Sequence, residues 1–89
     1  MDQASIPALR RGIRRHFDST RGAHVLLGPE RVIVLDEIAF EIVALLDGKR
    51  SIAEISSVLA IKFEADAREV KNDVTEFARE LVEKGLATV

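Results

Sequence analysis

The hydrophobic positions of this chain change period once, near Asp36. Before that point they come in short runs parted by turn residues. Residues 12–18 carry Ile13 and Phe17 among Arg and His, and residues 19–22 supply the small and polar side chains of a turn. Residues 24–27 form a second run. Gly28-Pro29-Glu30 breaks it, because Pro fixes its own φ, lacks an N–H and pushes the preceding residue towards extended geometry. Residues 31–35 are the third run, with Val32, Ile33 and Val34 all β-branched. Links this short predict an antiparallel meander, since parallel strands need a crossover of a dozen or more residues.

From Asp36 onward apolar residues recur every three or four positions, which predicts three helices. Asp36 is placed as an N-cap, and Ile38, Ile42, Leu45 and Leu46 form a stripe that Asp47-Gly48 ends. Ser51-Ile52-Ala53-Glu54 fits a capping box and opens a second helix over 52–62, whose face is Ile52, Ile55, Val58, Leu59 and Phe63. A third helix runs from Asp66, with Glu69 at the matching capping position, to about Lys84, where Gly85 stops it. Ala67, Val70, Val74, Phe77, Ala78 and Leu81 form its inward sector. Leu86 and Val89 are left for a short extension packed on the body, and residues 1–8 read as a floppy tail before a single domain over 9–89. The fold class is therefore α+β: an N-terminal three-stranded antiparallel sheet followed by three α-helices, shaped like a winged helix-turn-helix with its sheet moved first. Shape of this kind does not fix function.

Composition narrows the chemistry. The 89 residues hold no Cys, which excludes a disulfide framework, thiolate metal ligation and a catalytic thiol. Aromatic residues make up 4%, all of them Phe, too few for a base-stacking platform. His16 and His24 lack a second His, a Cys or a carboxylate pair at metal-ligand spacing, so no metal site is expected. No G-x-S-x-G elbow, dinucleotide loop or phosphate loop is present. The reading is a protein without catalytic residues or a cofactor of its own. The longest apolar run, residues 42–46, is about a quarter of the roughly 20 residues that cross a bilayer, and no apolar h-region follows the early arginines, so a cytoplasmic protein with no membrane role is expected.

The net charge of −2 conceals an asymmetry. Residues 1–35 hold six basic and three acidic side chains, and residues 36–89 hold seven basic and twelve acidic ones. Five arginines fall within residues 10–21. They read either as a solvated strand face that discourages edge-to-edge aggregation or as a docking surface for an acidic partner, with Arg11, Arg14 and Arg15 the candidates. Nucleic acid is disfavoured: the third helix carries six acids against four bases, and phosphates would repel it.

The strand over 31–35 is apolar on both alternating faces after Arg31, more than a half-exposed antiparallel strand needs. Either this chain covers both faces or one awaits a partner. At an edge, the backbone of Arg31, Val32, Ile33, Val34 and Leu35 can accept an extended peptide as an added strand, with Val70, Val74, Phe77 and Leu81 as the other wall, unless these four are simply core.

Arg11-Gly12-Ile13-Arg14, Val25-Leu26-Leu27-x-Pro29-Glu30, Leu35-Asp36-Glu37, Asp47-Gly48 and Ile52-Ala53-Glu54-Ile55 together resemble the PqqD family, over about residues 7–87. Two departures, Ile38 in place of a small or hydroxyl residue and no aromatic after the Gly of the terminal Lys-Gly, are expected to touch packing rather than the groove. The resemblance implies a non-catalytic peptide chaperone of pyrroloquinoline quinone biosynthesis. PqqD-like proteins bind the precursor peptide PqqA and present it to the radical SAM enzyme PqqE, as the prototype of the RiPP recognition element. It implies that the peptide adds to the strand over 31–35 and lies against Val70, Val74, Phe77, Ala78 and Leu81, and that any iron–sulfur cluster belongs to the partner enzyme. The competing readings are a recognition element of another RiPP pathway, a winged-helix DNA-binding regulator, and a homodimer that pairs through the exposed strand edge or exchanges its N-terminal strand segment.

Overall fold

The switch of period at Asp36 is the boundary between sheet and helices. In the computed structural model, which describes Met1–Val89, the element order is β1 (Ala8–Leu9), β2 (Arg14–Asp18), β3 (Ala23–Gly28), β4 (Arg31–Val34), α1 (Glu37–Ala44), α2 (Ile52–Lys62), α3 (Ala67–Glu83) and β5 (Ala87–Thr88). The expected antiparallel meander is present as a sheet of order β2-β3-β4, with Leu26 opposite Ile33 and Arg15 opposite Leu26. A second, two-stranded sheet joins β1 to β5, and pattern alone did not anticipate it. Its strands are two residues long, too short for a period to register.

Helix starts follow the sequence closely. Asp36 accepts from Ala39 N–H at 2.7 Å, and Asp66 accepts from Arg68 and Glu69 N–H. The Glu69 side chain makes no reciprocal bond, so α3 carries half of the capping box expected there. The box at α2 is complete: Ser51 Oγ accepts from Glu54 N–H, and Glu54 Oε1 accepts from Ser51 N–H. The bond from the Ser51 N–H is the main cause that lowers the Glu54 pKa.

The remaining donors of that helix start correct the reading of residues 1–8 as a floppy tail. Ile52 and Ala53 N–H donate to the carbonyls of Ser5 and Gln3, at 2.9 Å each. Pro7 is buried, its carbonyl accepts from Gly48 N–H, and Lys71 Nζ reaches Gln3 Oε1. A helix start leaves backbone donors unsatisfied, and here a polar segment without hydrophobic period supplies acceptors. Between α1 and α2 the Asp47 carboxylate takes the N–H groups of Lys49 and Arg50 and the Arg50 guanidinium. The bond from Lys49 is the main cause holding its pKa below the ordinary 3.8.

α3 ends in a Schellman motif. Leu86 N–H donates to Leu81 O and Gly85 N–H to Val82 O, with Gly85 at φ 74° and both leucines buried. The turn aims Leu86 and β5 back at the body, where Arg10 N–H donates to Leu86 O. The core lies between one face of the sheet, supplying Leu26, and the helices, supplying Ile42, Ile55, Leu59, Val74 and Leu81. Leu35 joins it from the end of β4. Gly28 is required where sheet meets core: a Cβ there would stand 2.7 Å from Leu86 Cδ2 and 3.0 Å from Ile13 Cδ1.

Candidate functional site

β4 is an edge strand, and its two alternating faces have different fates. Ile33 packs on the core and Leu35, just beyond the strand, is buried, whereas Val32 and Val34 are 49% and 58% exposed. The doubly apolar run thus has an inner face covered by this chain and an outer face that is open. The backbone is open too. Leu35 N–H donates to His24 O at 2.9 Å, and Ile33 lies opposite Leu26. Because hydrogen-bonded and non-bonded positions alternate in an antiparallel pair, the N–H and C=O groups of Val32 and Val34 point away from β3. They form the free margin of the sheet, and β4 enters it from a tight turn in which Glu30 takes φ 59°.

Downstream of that margin lies a cleft of about 310 Å³ lined by Asp36, Ile38, Ala39 and Ile42 from the start of α1 and by Asp73 and Phe77 from α3. The helix wall read from sequence is therefore split. Val74, Ala78 and Leu81 are fully buried and offer no surface, while Val70 and Phe77 are half-buried. At 100° per residue the first three form the centre of the buried sector, and Val70, Phe77 and Asp73 share its flank. Asp73 and Ile38 were not among the expected site residues, and the period that identified Phe77 also places Asp73 beside it. Ile38, expected to affect packing alone, lines the cleft and is exposed.

The arginines of β2 occupy the opposite edge of the sheet. Arg11, Arg14 and Arg15 are all exposed and form no ion pair. Strand alternation sends Arg14 and Arg15 to opposite faces, so they are not one patch. Arg15 stands over the Phe40 ring with 4.6 Å to its centroid. His24 packs against Phe40 at 4.4 Å and against Phe17 at 5.1 Å. Joined to Arg15 in this stack, His24 lies on the helix-facing side, and His16, opposite Val25, lies on the other. A larger hollow of about 460 Å³ at the hairpin end, lined by Gly12, Ile13, Arg14, Leu27 and Gly28, has only two apolar side chains and no convergent polar groups. No group of three or more His, Cys, Asp or Glu is placed to hold a metal, and no helix is long and apolar enough to cross a membrane.

Known proteins are similar to this chain in sequence and in fold. The PqqA binding protein of Xanthomonas oryzae pv. oryzae (strain KACC10331 / KXO85) is 49% identical over 82 residues, covering 92% of this chain and 89% of that one. The PqqA binding protein of Rhodopseudomonas palustris (strain BisB5) is 44% identical over 88 residues, covering 99% and 86%. Among solved structures, the solution NMR structure of the PqqD truncation of Methylobacterium extorquens PqqCD, described as a functional, stand-alone RiPP recognition element, matches with a TM-score of 0.85 at 32% identity, covering 99% of this chain and 94% of that one. The crystal structure of PqqD from Xanthomonas campestris matches with a TM-score of 0.65 at 43% identity, covering 100% and 99%. The model of the family of coenzyme PQQ synthesis protein D matches residues 23–87. The chain belongs to that family, PqqD.

Proposed function

We propose that this protein is a non-catalytic chaperone of PQQ biosynthesis, acting in the cytoplasm, which captures the precursor peptide PqqA as a fourth strand on β4 and presents it to PqqE. The observation that carries the reading is the free margin of β4, formed by the outward backbone groups of Val32 and Val34; the chain runs from it through Leu35 to Asp36, which lines the cleft between α1 and α3. An extended peptide pairs its own N–H and C=O groups with that margin. Its side chains then alternate, one set beside Val32 and Val34 and the other towards Ile33 and the cleft at Phe77. Backbone pairing supplies affinity irrespective of sequence, and the cleft supplies selectivity. Val70, Asp73 and Phe77 form the helix side of the site.

β2 and β4 are the two edges of one sheet, so a peptide on β4 leaves Arg11, Arg14 and Arg15 free for PqqE. Both partners are held at once, as presentation requires. A second copy of this chain competes for the β4 margin, so PqqA dissociates any dimer formed through it.

The test is a titration of fluorescently labelled PqqA, read by anisotropy, followed by size-exclusion chromatography with PqqE. Saturable binding at micromolar protein and co-elution of all three components are expected. No saturation at that concentration refutes peptide capture, and displacement of PqqA by PqqE refutes presentation.

A further inference from the structure

The groove that an added strand fills is charged differently at its two ends. Arg31 stands at the hairpin end of β4, exposed and in no ion pair. It shares strand parity with Ile33, so its side chain lies on the helix-facing side, where the cleft opens. At the other end the cleft holds two carboxylates, Asp36 and Asp73, and no basic side chain. Asp36 is engaged through one oxygen by Ala39 N–H, which leaves its second oxygen without a protein donor. Asp73 is exposed, and its side chain has no hydrogen bond or ion pair with the protein. Its neighbours one turn away on α3 are Glu69, Val70, Glu76 and Phe77, none of them basic. Ile38, Ile42 and Phe77 line the cleft beside the two carboxylates, and Ile33, on the helix-facing side of β4, stands between Arg31 and Asp36 along the chain.

We infer that the groove reads charge order in an extended peptide: an acidic residue opposite Arg31, apolar residues along the middle, and a basic residue between Asp36 and Asp73. This inference rests on strand addition at β4 and adds orientation to it. Backbone pairing alone leaves the two strand directions and several registers available, since every residue carries the same donor and acceptor. Unlike charges at the ends favour one of them, and a peptide placed in reverse sets like charges against each other. The span from Arg31 to Asp36 is five residues, about 16 Å at roughly 3.3 Å per extended residue. Both face the helices, so the acidic and basic residues of the ligand are four or six positions apart.

Charge-swap rescue tests this. Asp73→Lys and Arg31→Glu alter exposed side chains, and circular dichroism checks that both variants fold. Each is titrated with labelled PqqA and with a set of PqqA peptides in which every acidic residue is changed singly to Lys and every basic residue singly to Glu. Each protein variant is expected to lose affinity for unmodified PqqA by about fivefold to tenfold. Asp73→Lys regains it with one peptide that has lost a basic residue, and Arg31→Glu with one that has lost an acidic residue, the two positions four or six apart. Unchanged affinity in both variants, or rescue at no position, overturns the inference while leaving strand addition intact. Failure of the unaltered protein to bind PqqA strikes the strand-addition reading itself.

Discussion

Replacing Val34 with Pro separates the β4 margin from everything else that β4 does. The donors of Ile33 and Leu35 face β3, as the bond from Leu35 N–H to His24 O fixes, so the Val34 N–H is an outward donor. Proline removes that donor alone. Its ring holds φ near −65°, inside the broad extended region, and restricts the preceding residue to extended geometry, which Ile33 already has. Edge strands whose N–H faces solvent are where sheets tolerate proline. Val34 is more than half exposed, so little buried surface is lost. The expected change in folding stability is under about 1 kcal/mol.

The effect on binding is larger. One backbone hydrogen bond to the peptide disappears, worth about 1 kcal/mol net, and the peptide carbonyl it served is left beside the proline ring at a further cost of up to about 1 kcal/mol. Together these lower PqqA affinity about 5- to 30-fold. Anisotropy of labelled PqqA measures the affinity, and guanidinium unfolding of the same preparations measures the stability. Ile33→Pro is the contrast, because it deletes a ladder donor to β3 and a side chain packed on the core, and its loss appears as a lower unfolding midpoint. A folded Val34→Pro protein that binds PqqA as tightly as the unaltered chain refutes the added strand at this margin. The peptide contact would then have to be sought elsewhere on the molecule.

Three further outcomes test the fold around the site. Gly28→Ala forces a Cβ against the buried Leu86 and should destabilise by about 1 to 3 kcal/mol, seen as a lower denaturant midpoint at unchanged slope. Glu30→Gly relieves a left-handed φ worth about 1 kcal/mol, partly offset by the freer unfolded chain, so calorimetry should show the melting temperature rising by a few degrees. Asp18, Asp47 and Glu54 all have lowered pKa values, chiefly through backbone N–H donors on Arg21, Lys49 and Ser51. Depressed carboxyl values in the folded state contribute stability that is fully present above the unfolded values and lost as pH falls through the folded ones. The melting temperature should therefore hold from neutrality to about pH 5 and fall below roughly pH 4.5. Asp47→Asn should flatten part of that fall in a pH series of thermal melts, and an equally steep fall would remove Asp47 from the account.

Local chemistry made most of the fold legible. Asp36, Ser51 and Asp66 each open a helix because a short oxygen-bearing side chain meets free backbone donors within three residues, a relation that sequence spacing carries by itself. The turn at Pro29 and Glu30 is equally local. The pairing of β1 with β5 and the docking of Gln3 and Ser5 on the start of α2 are not, because they join segments far apart in the chain through main-chain groups that all residues share. No residue type marks such a contact. Pro7 is the nearest signal, and a lone proline is equally consistent with a loose tail.

The site was half legible for a related reason. A hydrophobic stripe records which residues avoid water, and it does not record whether the chain itself or a ligand excludes the water. Val74 and Phe77 belong to the same stripe and differ by 60° around the helix axis at 100° per residue. One is wholly buried and the other borders a cleft, because α2 packs along the centre of the sector while the side facing the start of α1 is left open. That difference depends on how α1 and α3 are placed, which the period of α3 alone cannot contain. The sequence does contain a trace of it: Asp73 interrupts the apolar flank between Val70 and Phe77. A charge at the border of an otherwise apolar sector marks the line along which the helix meets solvent or a partner, and β4 bears the same mark in Arg31 ahead of Val32.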